Sequence, residues 1–127
     1  MLAFQQHVAA LAHYQNEDGM WREVIDEPGT YGEFSATAMI GTAMLRGIQN
    51  GWLSAESYQP LVIRAWRAVL SRVGPEGSLM DVCESTGKQK SLDEYLRRAA
   101  SWGPDQRGGA MGLLFATEML DAPAITP

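Results

Sequence analysis

Apolar residues recur at helical spacing from Leu2 to Gln15, where Leu2, Val8 and Leu11 stand among alanines and predict a first helix. The turn residues Asn16 to Gly19 end it. Met20 to Ile25 alternates only in part, through Met20, Val24 and Ile25, and reads as an extended arm before a loop with Pro28, Gly29 and Gly32. A second helix is predicted from Phe34 to Gln49, rich in Ala, Gly and Met, with Asn50-Gly51 as its stop. Small residues let a neighbour approach closely, so this helix is expected to be buried on most sides. Ser54 is placed as the N-cap of a third helix, with Pro60 near its start and a stripe of Leu61, Ala65, Ala68 and Val69 beside Trp66. Arg64, Arg67 and Arg72 face away from that stripe. Gly74 to Gly77 breaks the helix, and Ser78 to Cys83 is short and extended. A polar loop over residues 84–91 leads to a short helix from Leu92 to Ala100. Gly103-Pro104 interrupts the chain before a last small-residue helix from Gln106 to Leu120, and the tail is expected to fray.

The pattern repeats weakly. An amphipathic helix, an acidic-glycine turn, a short arm, a polar loop and a small-residue helix occur twice, and the turn glycines Gly19 and Gly77 lie 58 residues apart. Repeated helical hairpins stack into solenoids or close into toroids. A closed α/α barrel keeps small-residue helices inside and amphipathic ones outside. Two such units fill only part of a ring, so the fold class expected is all-α, part of an (α/α)6 barrel. Residues 1–127 are then an incomplete portion of one domain. A small two-stranded arm near residues 20–25 and 78–83 is compatible with this.

Composition narrows the function. The chain has 127 residues, 46% of them hydrophobic and 20% charged, so it is neither disordered nor membranous. The net charge is −5 with dispersed basic residues, and no nucleic-acid partner is expected. No apolar run reaches the roughly 18 residues of a membrane span, and no membrane partner is expected. The opening stretch has two His, no Lys or Arg and no compact apolar block, which argues against a signal peptide. A single cysteine, Cys83, fits a cytoplasmic protein. His7 and His13 fall on different faces of their helix, and nothing else resembles a metal or cofactor site, so neither is expected.

Some residues carry chemistry by type. Glu33 and Ser35 open the second helix, where carboxylate and hydroxyl cap naturally. Cys83 has no base near it in sequence and is read as structural. Lys88, Lys90 and Ser91 lie in the polar loop. Tyr95 and Arg98 share a face of the short helix. Asp26, Asp81, Asp93 and Glu94 are acids by type, with no pair standing out as a catalytic couple.

Four segments in order carry a resemblance: YQNEDGMWREVID at 14–26, YGEFSATAM at 31–39, MDVCESTGKQKSLDEYLRR at 80–98 and PDQRGGAMGLLFA at 104–116. Together they resemble the C-terminal part of the unsaturated rhamnogalacturonyl and glucuronyl hydrolases, glycoside hydrolase families 88 and 105. The resemblance covers nearly the whole chain and implies an (α/α)6 barrel. It also implies a chemistry. Lyases leave a C4=C5 double bond in a terminal uronic acid, a vinyl ether, which these enzymes protonate and hydrate. The hemiketal then rearranges and the linkage falls apart, with an aspartate as general acid and then base. That aspartate lies N-terminal of the matched region, so this chain alone is expected to be inactive.

The resemblance places Trp21 near the cleft mouth as a sugar-stacking ring. Glu23 stands where the family often has Gln, a departure that bears on a direct sugar hydrogen bond. Glu33 and Ser35 fall at the pocket rim, and Lys88, Lys90 and Ser91 over the substrate carboxylate. The implied partner is an unsaturated oligosaccharide. Edge helices left open are expected to self-associate. The competing reading is a non-catalytic helical-repeat interaction or carbohydrate-binding module, against which the polar loops and Trp-bearing arms argue. Terpene cyclases and prenyltransferase subunits need Asp-rich metal motifs or zinc ligands, which the sequence lacks.

Overall fold

Side-chain oxygens start three of the helices. Glu33 accepts the Ala36 amide ahead of α2 (Phe34–Gln49), Ser91 accepts the Glu94 amide ahead of α4 (Leu92–Leu96), and Asp105 accepts the Gly108 amide ahead of α5 (Gln106–Leu120). Each satisfies an amide that has no partner within its own helix. The other two helices, α1 (Leu2–Ala12) and α3 (Ala55–Leu70), begin without a side-chain cap bond. The computed structural model describes residues 1–84 and 87–122. The expected fraying of the tail falls almost wholly on residues 123–127, outside the described residues.

The small-residue helix α2 is the hub of the fold, packing most extensively on α5 and α3. Its contacts fix direction. The Phe34 ring lies against Gly112, the Phe115 ring against Gly41, and Arg46 pairs with Glu118. Both helices therefore run the same way, with their N-termini at one end, while α3 returns the chain between them. A Cβ on Gly41 would come within 2.5 Å of the Phe115 ring, so the close approach requires glycine there. Trp21, Phe34, Met44, Leu45, Val62, Val69 and Phe115 form a core closed to solvent, with Trp66 edge-on to Phe115 at 5.3 Å.

The two acidic-glycine turns match the repeat. Gly19 and Gly77 both sit at left-handed φ, +89° and +74°. At Gly19 a Cβ would also lie 2.5 Å from the Arg64 carbonyl oxygen. Arg72 joins the units by reaching Asp18 of the first turn at 2.8 Å and Asp81 of the second arm at 3.3 Å.

Several boundaries differ from expectation. The first helix stops at Ala12, because the chain turns early to carry Trp21 under it, and Gln15 bonds the Gly19 and Leu61 carbonyls instead. Pro60 lies in the second turn of α3 on its exposed side, where the missing amide costs one bond and no packing. The short helix ends at Leu96, and residues 100–103 form a strand. That strand, β2 (Ala100–Gly103), pairs antiparallel with β1 (Leu79–Cys83), with a bulge at Asp81, whose φ is +62°. The arm at 20–25 closes on its own loop through a bridge between Arg22 and Gly32. The last helix is covered where it meets α2, β1 and Trp66 of α3, while Leu113 is 70% and Leu120 83% exposed.

Candidate functional site

The end of the molecule where α2 and α5 begin gathers the arm, the β1–β2 hairpin and the 87–91 loop. Glu33 organises it. Its carboxylate is buried and accepts from the Ala36 amide, from the Ser35 hydroxyl at 2.9 Å and, 50 residues on, from the Cys83 amide at 3.0 Å. It thus caps α2 and holds β1 against it. The Ser35 hydroxyl is turned to Glu33 and so serves the cap.

Trp21 does not present a ring to the surface. It is fully buried, its indole N–H donates to the Leu11 carbonyl at 2.7 Å, and its amide donates to the Thr37 hydroxyl at 3.0 Å. The stacking role expected for it is corrected by this geometry: a ring with no accessible face is a core anchor. The exposed indole at this end is Trp102 of β2, 80% accessible, which the sequence reading passed over. Its signal was a tryptophan beside a Gly-Pro break.

Glu23 lies half-buried behind the rim. Burial pushes its carboxyl above the usual range; the Arg98 guanidinium pulls it down and the Glu33 charge pushes it up again. Beside it, the Tyr31 hydroxyl is buried against the Cys83 thiol. Burial first, then the adjoining Cys83 thiol, hold its phenol well above the ordinary value. Tyr31 was not singled out in the sequence; its place before Glu33 in the YGEFS segment was the available sign.

The loop side is cationic. Lys88 and Lys90 are exposed. Ser91 is engaged as the α4 cap, while Glu94 accepts the Lys90 amide, one residue ahead of the cap, at 3.0 Å. Arg98 donates to the Gly87 carbonyl at 3.0 Å and stands 5.5 Å from the centre of the Tyr95 ring. Arg107 reaches the Cys83 and Glu84 carbonyls at 3.4 and 3.3 Å. The structure thus brings Glu23, Glu33 and Ser35 together with Tyr31, Cys83 and Arg98. An open groove of about 500 Å³ lined by His13, Tyr14, Gln15, Asn16, Glu17, Asp18 and Arg22 contains none of the expected binding residues. Among the described residues no group of three His, Cys, Asp or Glu is placed to hold a metal ion, and no helix is long and apolar enough to cross a membrane.

The carboxylates expected as candidate acids are mostly committed to structure. Asp81 pairs with Arg72, Asp93 with Arg97 at 2.7 Å, Glu94 with the Lys90 amide, and Glu33 with the α2 cap. The family model for Glycosyl Hydrolase Family 88 matches residues 1–122. The chain belongs to this family. Among curated proteins this family member is 28% identical over 105 residues to the unsaturated rhamnogalacturonyl hydrolase YesR of Bacillus subtilis, covering 80% of this chain and 28% of that protein. It is 34% identical over 68 residues to the unsaturated 3S-rhamnoglycuronyl hydrolase of Formosa agariphila, covering 52% of this chain and 18% of that one.

Solved structures agree. A protein from Salmonella enterica described as a possible member of the GH105 family superposes with a TM-score of 0.84 at 32% identity, over 92% of this chain and 30% of that one. Its counterpart from Klebsiella pneumoniae gives 0.82 at 31% identity, over 90% of this chain and 29% of that one. The family 88 chain therefore has the fold of part of an (α/α)6 barrel, as its repeat and motifs predicted, and spans under a third of these relatives' length.

Proposed function

We propose that the chain is the C-terminal portion of a hydrolase that removes a terminal unsaturated uronic acid from lyase-generated oligosaccharides. The observation that carries this reading is the family match over residues 1–122, joined to relatives named for unsaturated rhamnogalacturonyl and 3S-rhamnoglycuronyl substrates. In the reaction, a general acid protonates C4 of the vinyl ether, water adds at C5, and the hemiketal opens to release the remaining sugar. One water is consumed. This portion contributes a wall of the cleft: Lys88 and Lys90 face the uronate carboxylate, Trp102 offers the stacking surface, and Glu23 sits behind the rim.

The proton donor comes from elsewhere in the barrel. General acid–base catalysis contributes about 10²–10⁴-fold, and the acids of this end other than Glu23 and Asp26 are mostly engaged in caps and ion pairs. The purified 127-residue chain is accordingly expected to leave the ultraviolet absorbance of an unsaturated disaccharide unchanged. Exchanged into the Salmonella enterica relative in place of the matching segment, it is expected to give an active enzyme. Enzyme-like bleaching by the chain alone would sink this assignment, and Glu23→Gln would then be the first variant, ahead of Asp26 and Asp81. Sugar binding without turnover in the chimera would favour a carbohydrate-binding module.

A further inference from the structure

The chain has two asparagines, and only Asn50 is followed by glycine. A glycine has no Cβ, so its nitrogen can close on the side chain of the residue before it. Asn50 ends α2, and both Asn50 and Gly51 are exposed. Gly51 sits at φ +69° with open space where a Cβ would stand. The Asp18-Gly19 step could close the same kind of ring, but it is held differently. Gly19 is buried against the Arg64 carbonyl, and the Asp18 carboxylate is engaged by the Met20 amide and by Arg72.

We propose that Asn50 is a site of spontaneous intramolecular modification by the Gly51 nitrogen, independent of the hydrolase chemistry. That nitrogen loses its proton and bonds Asn50 Cγ. The Cγ–Nδ2 bond breaks, and Nδ2 leaves as ammonia with the released proton. The product is a cyclic succinimide. One water then opens it at either carbonyl and leaves aspartate or isoaspartate; nothing is oxidised or reduced. The folded helix end holds the reaction back. At an Asn50 ψ of 4° the Gly51 nitrogen is turned away from Cγ. Its N–H donates to the Ile48 carbonyl at 3.0 Å, and Asn50 Nδ2 donates to the Arg46 carbonyl at 2.8 Å. Helix ends fray, so closure proceeds from the fraction of molecules in which this turn is open.

The product does not refit. A carboxylate replaces the donor beside the Arg46 carbonyl, at the negative end of α2. The Arg46 guanidinium is already held by Glu118. Isoaspartate also adds a backbone carbon just ahead of Trp52 and Leu53, whose amides both donate to the Gly47 carbonyl. Trp52 in turn anchors α1, edge-on to Phe4 at 6.0 Å, with its carbonyl accepting from the Gln5 amide at 2.8 Å. Modification at the end of α2 therefore loosens the seat of α1.

To test this, the full chain and a synthetic peptide of residues 45–54 are incubated in mildly alkaline buffer, with and without urea, and fragments are mapped by mass spectrometry. A gain of one mass unit is expected on the fragment holding Asn50, as a mixture of aspartate and isoaspartate. It should accumulate severalfold more slowly in the folded chain than in the peptide, and urea should remove that difference. Asn50→Gln should abolish the gain, because its longer side chain has to close a larger ring. A folded chain that stays unmodified long after the peptide has converted overturns the site. Equal rates in folded chain and peptide overturn the gating by the helix end. The consequence is read on Asn50→Asp, expected to melt several degrees below both the wild type and Asn50→Gln. Melting equal to the wild type overturns the loss of fit. The mass readout uses the unaltered chain, so it stands even where a variant fails to fold.

Discussion

Glu33 links two segments 50 residues apart through one carboxylate, and that explains why it is an acid rather than a serine or threonine. A hydroxyl could cap α2, but it could not also accept the Cys83 amide of β1. Glu33→Ala removes a cap and leaves a half-buried amide unpaired, a loss of roughly 2–4 kcal/mol, measurable by urea unfolding. Glu33→Gln, which keeps one acceptor oxygen, should lose less. Glu23 behaves in the opposite sense. Its folded pKa is raised by burial, so the group favours the folded state below about pH 4.5, its ordinary value, and that contribution is lost as pH rises through the folded value. Glu23→Gln is therefore expected to stabilise the protein at neutral pH and to have little effect at acid pH, as paired melts would show. The role of Glu33 was legible because a carboxylate ahead of an apolar run is a cap signal. The burial of Trp21 was not. A short arm has one ring and two faces, and only the turn geometry decided that Trp21 lies inward and Trp102 outward.

At the level of elements, α2 and α5 matched their predicted limits because each has a capping acid at one end and a clear periodic run. The stretch after α4 was misread for a physical reason. Arg97, Arg98, Ala99 and Ala100 favour a helix by local propensity, but β1 offers an open edge whose backbone groups need partners, and residues 100–103 supply them. Tertiary pairing outweighed local preference. The cap of α5 can be tested separately. The Gly108 amide bond holds the Asp105 carboxyl below its usual range, so its contribution is present above about pH 3.8 and is lost as pH falls through the lower folded value. Asp105→Ala should cost about 1 kcal/mol near neutrality and progressively less in strong acid, by thermal melts across that range.

For the whole molecule, the repeat in the sequence revealed the architecture, while the openness of its flanks became visible only in three dimensions. Leu70 and Val73 beside α3, with Leu113 of α5, border an apolar groove of about 260 Å³. Apolar surface of this kind drives association. The isolated chain is expected to sediment as oligomers at micromolar concentration, and Leu113→Lys should shift it toward monomer. A monomer with wild-type Leu113 would speak against it.

The slight burial of α1, whose only buried residue is Val8, also bears on how the chain breathes. Stability within a fold is uneven, and segments with few interior contacts open without the rest. Held mainly by Phe4, Val8 and the bond between the Trp21 indole and the Leu11 carbonyl, α1 should detach as a unit while α2, α3 and α5 stay assembled. In deuterium exchange the amides of α1 are expected to label first and together, and those of Thr42 to Leu45 last, at the rate of global unfolding.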